Sequence, residues 1–174
     1  MRSSETFRFT RRVRRPISLS KGEDIMSDTN KVIESLNSVL ADTYTLYLKT
    51  HGYHWNVEGP SFKSLHELFE LQYTAMWQSM DELAERIRAL GAYAPMGGAA
   101  LADGSSIDAV DNDVPSANTM VQNLVAGHEV WLNTAKQALE VAGHANDAAT
   151  EDVLTPLISA HEKIAWMLRS SLER

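Results

Sequence analysis

Residues 61–91 read SFKSLHELFELQYTAMWQSMDELAERIRALG. Leu65, Phe69, Tyr73, Met76, Met80, Leu83, Ile87 and Leu90 recur every three or four positions, which predicts one long amphipathic helix closed by Gly91. The same segment carries His66 and Glu70, then Asp81 and Glu85, two i, i+4 pairs. Members of each pair share a face one turn apart. The eleven residues from Glu70 to Asp81 span about 16 Å of helix at about 1.5 Å per residue. One metal ion therefore cannot touch both pairs of one helix. A second, antiparallel copy would set positions 66 and 70 of one chain opposite 81 and 85 of the other. The spacing points to a metal site shared between two subunits.

Working outward, Val32, Ile33, Leu36, Val39, Leu40, Tyr44, Tyr47 and Leu48 predict a preceding helix that ends near Val57, with caps available at Ser27 to Asn30. Glu58, Gly59 and Pro60 mark a turn, and Ser61 is placed to cap the next helix. From Ala92 to Pro115 the pattern lapses, a connection long enough to hold a short helix. Ser116 begins a third long helix, with Met120, Leu124, His128, Trp131, Leu132, Ala135 and Leu139 inward and Gly143 at its end. A fourth runs from about Asp147 through Val153, Leu154, Leu157, Ile158, Ile164, Ala165, Leu168 and Leu172, and Pro156 should kink it or mark its start. Four long helices with one long link between the second and third is an all-α, ferritin-like four-helix bundle.

The 174 residues suit one domain with a substantial core. No apolar run is long enough for a membrane span, and the basic, polar N-terminus is unlike a secretory signal, so a cytoplasmic protein is expected. Cysteine is absent, which excludes disulfides, thiolate metal sites and cysteine catalysis. The net charge of −7 is uneven. Residues 1–25 hold seven basic and three acidic residues, a net +4; the remainder holds nine basic and twenty acidic, a net −11. Residues 1–25 lack apolar periodicity and read as a disordered basic extension ahead of a domain over 26–174. Met26 begins a run that reads as a native start, and Lys21-Gly22-Glu23 is compatible with a purine-rich ribosome-binding site before it.

Ferritin-like bundles that hold iron inside one subunit use Glu-x-x-His on two helices. None of the six histidines has a glutamate three residues before it, so a core site is not expected. The stretches Lys49-Thr50-His51-Gly52-Tyr53-His54-Trp55-Asn56-Val57, Leu65-His66-Glu67-Leu68-Phe69-Glu70 and Asp81-Glu82-Leu83-Ala84-Glu85-Arg86-Ile87 resemble the Dps family of mini-ferritins, named for DNA protection during starvation. His161-Glu162-Lys163 followed by Ala165-Trp166-Met167-Leu168-Arg169 is similar to that family's last helix. The likeness covers residues from about 30 to 172.

The resemblance implies a hollow dodecamer with di-iron ferroxidase sites at its two-fold interfaces. His54, His66 and Glu70 would come from one subunit, and Asp81 and Glu85 from its mate. The family more often has aspartate at the position of Glu70, a methylene shorter. The implied chemistry is oxidation of Fe²⁺ by hydrogen peroxide, or more slowly by dioxygen, followed by storage as a ferric mineral core. Zn²⁺ is the expected competitor for such ligands. Asp147, Glu151 and Asp152 suit the positive start of a helix and, by the same resemblance, an acidic pore for Fe²⁺ entry.

Other residues have plainer explanations. Asp81 and Glu85 alone would read as solvated surface paired with Arg86 or Arg88. Trp55 reads first as packing, but beside the metal it can lend an electron to a strong oxidant. His51 reads as a surface residue, a spare ligand or a proton acceptor; His128, His144 and His161 read as structural. The rival function is a nucleoid protein that binds and protects DNA, with iron oxidation secondary. An acidic body repels DNA, so that role depends on residues 1–25.

Overall fold

The computed structural model describes residues 20–108 and 113–172, with side chains from residue 28 onward. Among the described residues five helices follow one another: α1 (Ser20–Asn56), α2 (Phe62–Ala89), α3 (Gly98–Asp103), α4 (Ala117–His144) and α5 (Ala148–Ser171). Among the described residues there is no strand, and no helix is long and apolar enough to cross a membrane. The short helix expected in the crossover is α3. Of the expected disordered extension, residues 1–19 lie outside the described residues, and residues 20–25 are in α1.

The hairpin of α1 and α2 packs through α1 on α4, α4 packs on α5, and α3 lies against α1. Leu36, Phe69, Met76, Leu83, Ile87, Leu124, Trp131, Leu154 and Leu168 fill the centre. Each large side chain buried there contributes about 1.5–3 kcal/mol by leaving water. The apolar stripe of α1 departs from its prediction at one turn. Leu46 is fully buried, while Leu48, expected inside, is 46% exposed. At 37 residues α1 meets different neighbours along its length, so no single stripe describes it.

Helix ends follow local chemistry. Gly91, at φ 93°, ends α2 with Ala92 N donating to Ile87 O and Gly91 N to Arg88 O, a Schellman arrangement that needs the left-handed region. Gly143, expected to end α4, lies inside it. Asn146 takes the left-handed position instead (φ 55°), with Asp147 N bonded to Ala142 O. Asparagine tolerates that region better than most residues. Ser116 caps α4 through Thr119 N at 3.2 Å, whereas Ser61 stands before α2 without a side-chain capping bond. Pro156 neither starts nor ends α5; it sits within the helix.

Two buried polar clusters tie the bundle. Asp42, fully buried on α1, accepts from Ser105 Oγ (2.9 Å), Ser106 N (2.6 Å) and Thr134 Oγ1 (2.7 Å), pinning the crossover to α1 and α4. Its two oxygens are satisfied by three donors, as a buried polar group requires. Trp131 donates to Thr43 Oγ1 at 2.8 Å and stacks on His161, whose Nδ1 lies 3.0 Å from Nδ1 of His128. Burial holds His128 down to about 3; burial, and then the neighbouring His128, keep His161 well below the usual imidazole value. The pair is therefore neutral at pH 7, and its role in the fold is structural.

Candidate metal centre

The α1–α2 hairpin brings the last turn of α1 against the first turns of α2. There His54 and His66 stack, with ring centroids 3.8 Å apart and planes 21° apart. Each ring bonds to the other residue's backbone: His54 Nδ1 to His66 O at 2.9 Å, and His66 Nδ1 to His54 O at 2.8 Å. A carbonyl oxygen only accepts, so each Nδ1 carries a proton. In the neutral rings both Nε2 atoms then keep a lone pair. Backbone hydrogen bonds that fix the tautomer and orientation in this way typically support metal-ligating histidines.

The remaining predicted ligands are separate. Glu70 is exposed one turn beyond His66, and Asp81 and Glu85 are exposed further along the same unbroken helix. Among the described residues of one chain, no three histidine or carboxylate side chains come together as a metal-holding group. A single chain thus brings together His54 and His66 and leaves the Asp81/Glu85 pair elsewhere. The plainer alternative for those carboxylates, surface pairing with Arg86 or Arg88, is not met among the described residues. Arg86 turns away to Asp147 (2.6 Å) and Thr150 Oγ1 (2.9 Å), and Arg88 bonds Ala92 O and lies over Tyr93. Among the described residues, Asp81 and Glu85 have no cationic partner.

Asp147 proves to be a strut. It caps α5 through Thr150 N (3.1 Å) and binds Arg86, joining the end of α2 to the start of α5. Partial burial pushes its carboxyl up, but hydrogen bonds from Arg86 and Thr150 and the Arg86 charge outweigh that, so it lies below the usual value. Of the other two acids at that helix start, Glu151 is half-buried and Asp152 is exposed.

Sequence reasoning missed the aromatic wall beside the histidines. Tyr73 lies edge-on to His54 (5.1 Å) and stacks on His51 (3.9 Å, 15°). His51 also meets Trp55 (4.3 Å), which is 68% exposed. In the sequence Tyr47 and Tyr73 show only as members of apolar stripes. Burial first, and then the charge of His54, lowers the His51 pKa.

The chain matches the Ferritin family, described as a ferritin-like domain, over residues 33–174. It is 38% identical to DNA protection during starvation protein 2 of Bacillus anthracis over 146 residues, 83% of this chain and 98% of that one. The chain belongs to the Dps branch of the ferritin-like family. This Dps chain is also 44% identical to a low temperature-induced protein of Nostoc over 144 residues, covering 82% of this chain and 80% of that one. Among solved structures, it resembles the Dps of Vibrio cholerae O1 with a TM-score of 0.80 and 33% identity, over 84% of this chain and 92% of the other. The V. cholerae protein is described as a member of a superfamily of ferritin-like diiron-carboxylate proteins. Imidazole nitrogen and carboxylate oxygen, the donors these candidate residues offer, are ligand types that suit iron and zinc alike.

Proposed function

We propose that this Dps protein oxidises and stores iron at di-iron sites shared between two subunits, removing Fe²⁺ and hydrogen peroxide together. The observation that carries the reading is the reciprocal lock of His54 and His66, together with two unpaired carboxylates too far along the same helix to join it. An antiparallel second copy supplies what is missing. The midpoint of 66 and 85 is also the midpoint of 70 and 81, between Ala75 and Met76, so one two-fold pairing aligns both sets at once. At that level α2 exposes Trp77, 63% accessible, and α1 exposes Leu48 nearby in sequence to Tyr47, which touches Trp77. An apolar surface of this kind favours a partner.

In this reading Asp81 and Glu85 of the partner subunit bind the first Fe²⁺ with His54, and His66 and Glu70 hold the second. The carboxylates neutralise the charge that grows as Fe²⁺ becomes Fe³⁺. Two Fe²⁺ give one electron each, so peroxide and two protons leave as two waters and no hydroxyl radical is released. Dioxygen is a slower oxidant. The Fe³⁺ hydrolyses and mineralises inside a dodecameric shell. Glu151 and Asp152 guide Fe²⁺ inward at the start of α5, while the charge of Asp147 is committed to Arg86.

Stopped-flow oxidation of Fe²⁺, with peroxide and separately with air, tests the reading. Wild type should react faster with peroxide, and Asp81→Ala or His54→Ala should lose the fast phase with the helical spectrum intact. Fast oxidation in Asp81→Ala would refute the ligand assignment.

A further inference from the structure

Leu48 stands where the apolar period predicts an inward side chain, yet it is exposed on the outer face of α1. One turn before it, Tyr44 lines an open cavity of about 600 Å³. Trp77 and Met80 of α2, Pro95 of the crossover and Leu101 of α3 complete its mostly apolar wall, and Asp81 lines it too. Leu48 does not line the cavity of its own chain.

The register of the hairpin says where Leu48 meets a second copy. His54 stacks on His66, and Tyr47 lies 6.2 Å from Tyr73. Both pairs place residue 48 level with residue 72, because α1 and α2 run antiparallel. The two-fold between Ala75 and Met76 sets 72 opposite 79. Leu48 of one copy thus reaches the level of Trp77 and Met80 of the other. The side agrees as well. A two-fold that pairs antiparallel helices keeps like flanks together, so the α1 flank of one α2 meets the α1 flank of the other. The cavity lies on that flank, since Tyr44 of α1 supplies part of its wall.

We propose that Leu48 seats in this cavity of the partner subunit, reciprocally, and so sets the register of the two-fold. The inference rests on the two-subunit pairing of the iron-oxidising reading and adds what fixes it. Leu48 and His54 are six residues apart on α1, as are residue 79 and Glu85 on α2. Seating the leucine therefore carries His54 to the level of Glu85 of the partner subunit. A slip of one turn would move the histidine by about 5.4 Å, far more than a metal–ligand bond tolerates. The occupant is a second copy, because the same symmetry that completes the metal centre brings leucine and cavity together twice. The seat is continuous with the apolar surface of Trp77 at the two-fold, and burying both leucines there drives association.

The test is sedimentation of the full-length protein over a range of concentrations, beside its helical spectrum. Wild type should assemble, and Leu48→Met should match it, since methionine fills much the same space. Leu48→Asp puts a carboxylate into an apolar cavity beside Asp81. It should raise the concentration needed for assembly by about tenfold or more, with the helical spectrum unchanged. Met80→Lys offers that carboxylate a cation. Within one chain, position 48 is level with 72, about 12 Å along the helix from 80, so a rescue acts between copies. Leu48→Asp/Met80→Lys should therefore assemble more tightly than either single variant. Assembly of Leu48→Asp as in wild type overturns the proposal, as does a double variant no tighter than the singles. Disruption by Met80→Lys with Leu48→Asp unaffected would give the cavity to another occupant and overturn it too. None of these arms needs iron. Wild type without fast Fe²⁺ oxidation refutes the iron reading, whereas fast oxidation with Leu48→Asp unaffected refutes only the seating of Leu48.

Discussion

Arg86→Ala removes the ion pair that joins the end of α2 to the start of α5. The guanidinium makes two bonds, to Asp147 Oδ1 at 2.6 Å and Thr150 Oγ1 at 2.9 Å, with the Arg86 and Asp147 side chains only 18% and 16% exposed. Hydrogen bonds to charged groups contribute about 1.5–3 kcal/mol each, and a partly buried pair recovers less than the sum because its desolvation opposes it. A loss of about 3 kcal/mol is expected, a fall in Tm of about 6–12 °C for a chain of this size. Thermal unfolding at fixed protein concentration measures it, since assembly makes Tm concentration-dependent. The effect should depend on pH. Asp147 has its folded pKa depressed, so its contribution is present above the unfolded value near 4 and fades as pH falls through the folded one. Wild type and variant should therefore converge in acid. Adding Asp147→Ala to Arg86→Ala should cost less than the two separate losses together, since both remove one interaction. A shift under about 2 °C at neutral pH, or strict additivity, would refute the strut.

Three further outcomes follow from other parts of the molecule. The buried His128–His161 pair is neutral when folded but titrates near 6.5 once unfolded, so stability should be full above that pH and fall by roughly 1–3 kcal/mol per pH unit below it, toward about 3; urea midpoints at pH 7 and 5 that coincide would contradict this. Gly127→Ala places a Cβ 2.7 Å from Leu46 Cδ1, and because Leu46 is fully buried the overpacking cost of about 1–3 kcal/mol should exceed the helix-propensity gain of about 0.5–1 kcal/mol inside α4, a net loss of up to about 2 kcal/mol read from the urea midpoint. A protein starting at Met26 should not retard DNA at moderate salt, because its net charge is −11, and strong retardation would show that the body itself binds DNA.

The long helices were legible because burial imposes a three-to-four-residue period on α2, α4 and α5. The period misleads where a helix changes neighbours, which is why Leu46 and Leu48 were exchanged. It is silent about Asp42, since an aspartate inside a helix ordinarily faces water and only the folded crossover supplies its donors. The two i, i+4 pairs were legible because they lie on one helix. The lock between His54 and His66 was not, because it depends on how the turn at 57–61 closes the hairpin. Likewise His128 and His161 stand 33 residues apart and meet only through packing of α4 on α5. Arg86 was read with its nearest acids in sequence, and its actual partner lies 61 residues away.

The shared site is tested most directly by mixing two inactive proteins. One carries His54→Ala and His66→Ala, the other Asp81→Ala and Glu85→Ala, and the two are unfolded, mixed in equal amounts and reassembled. A hybrid two-fold holds one intact and one doubly broken site, so random pairing should restore about a quarter of the wild-type sites. Fast peroxide-driven oxidation of Fe²⁺ at about that level, absent from either protein reassembled alone, is the predicted result. No recovery in particles shown by mass spectrometry to contain both chains would contradict the two-subunit centre.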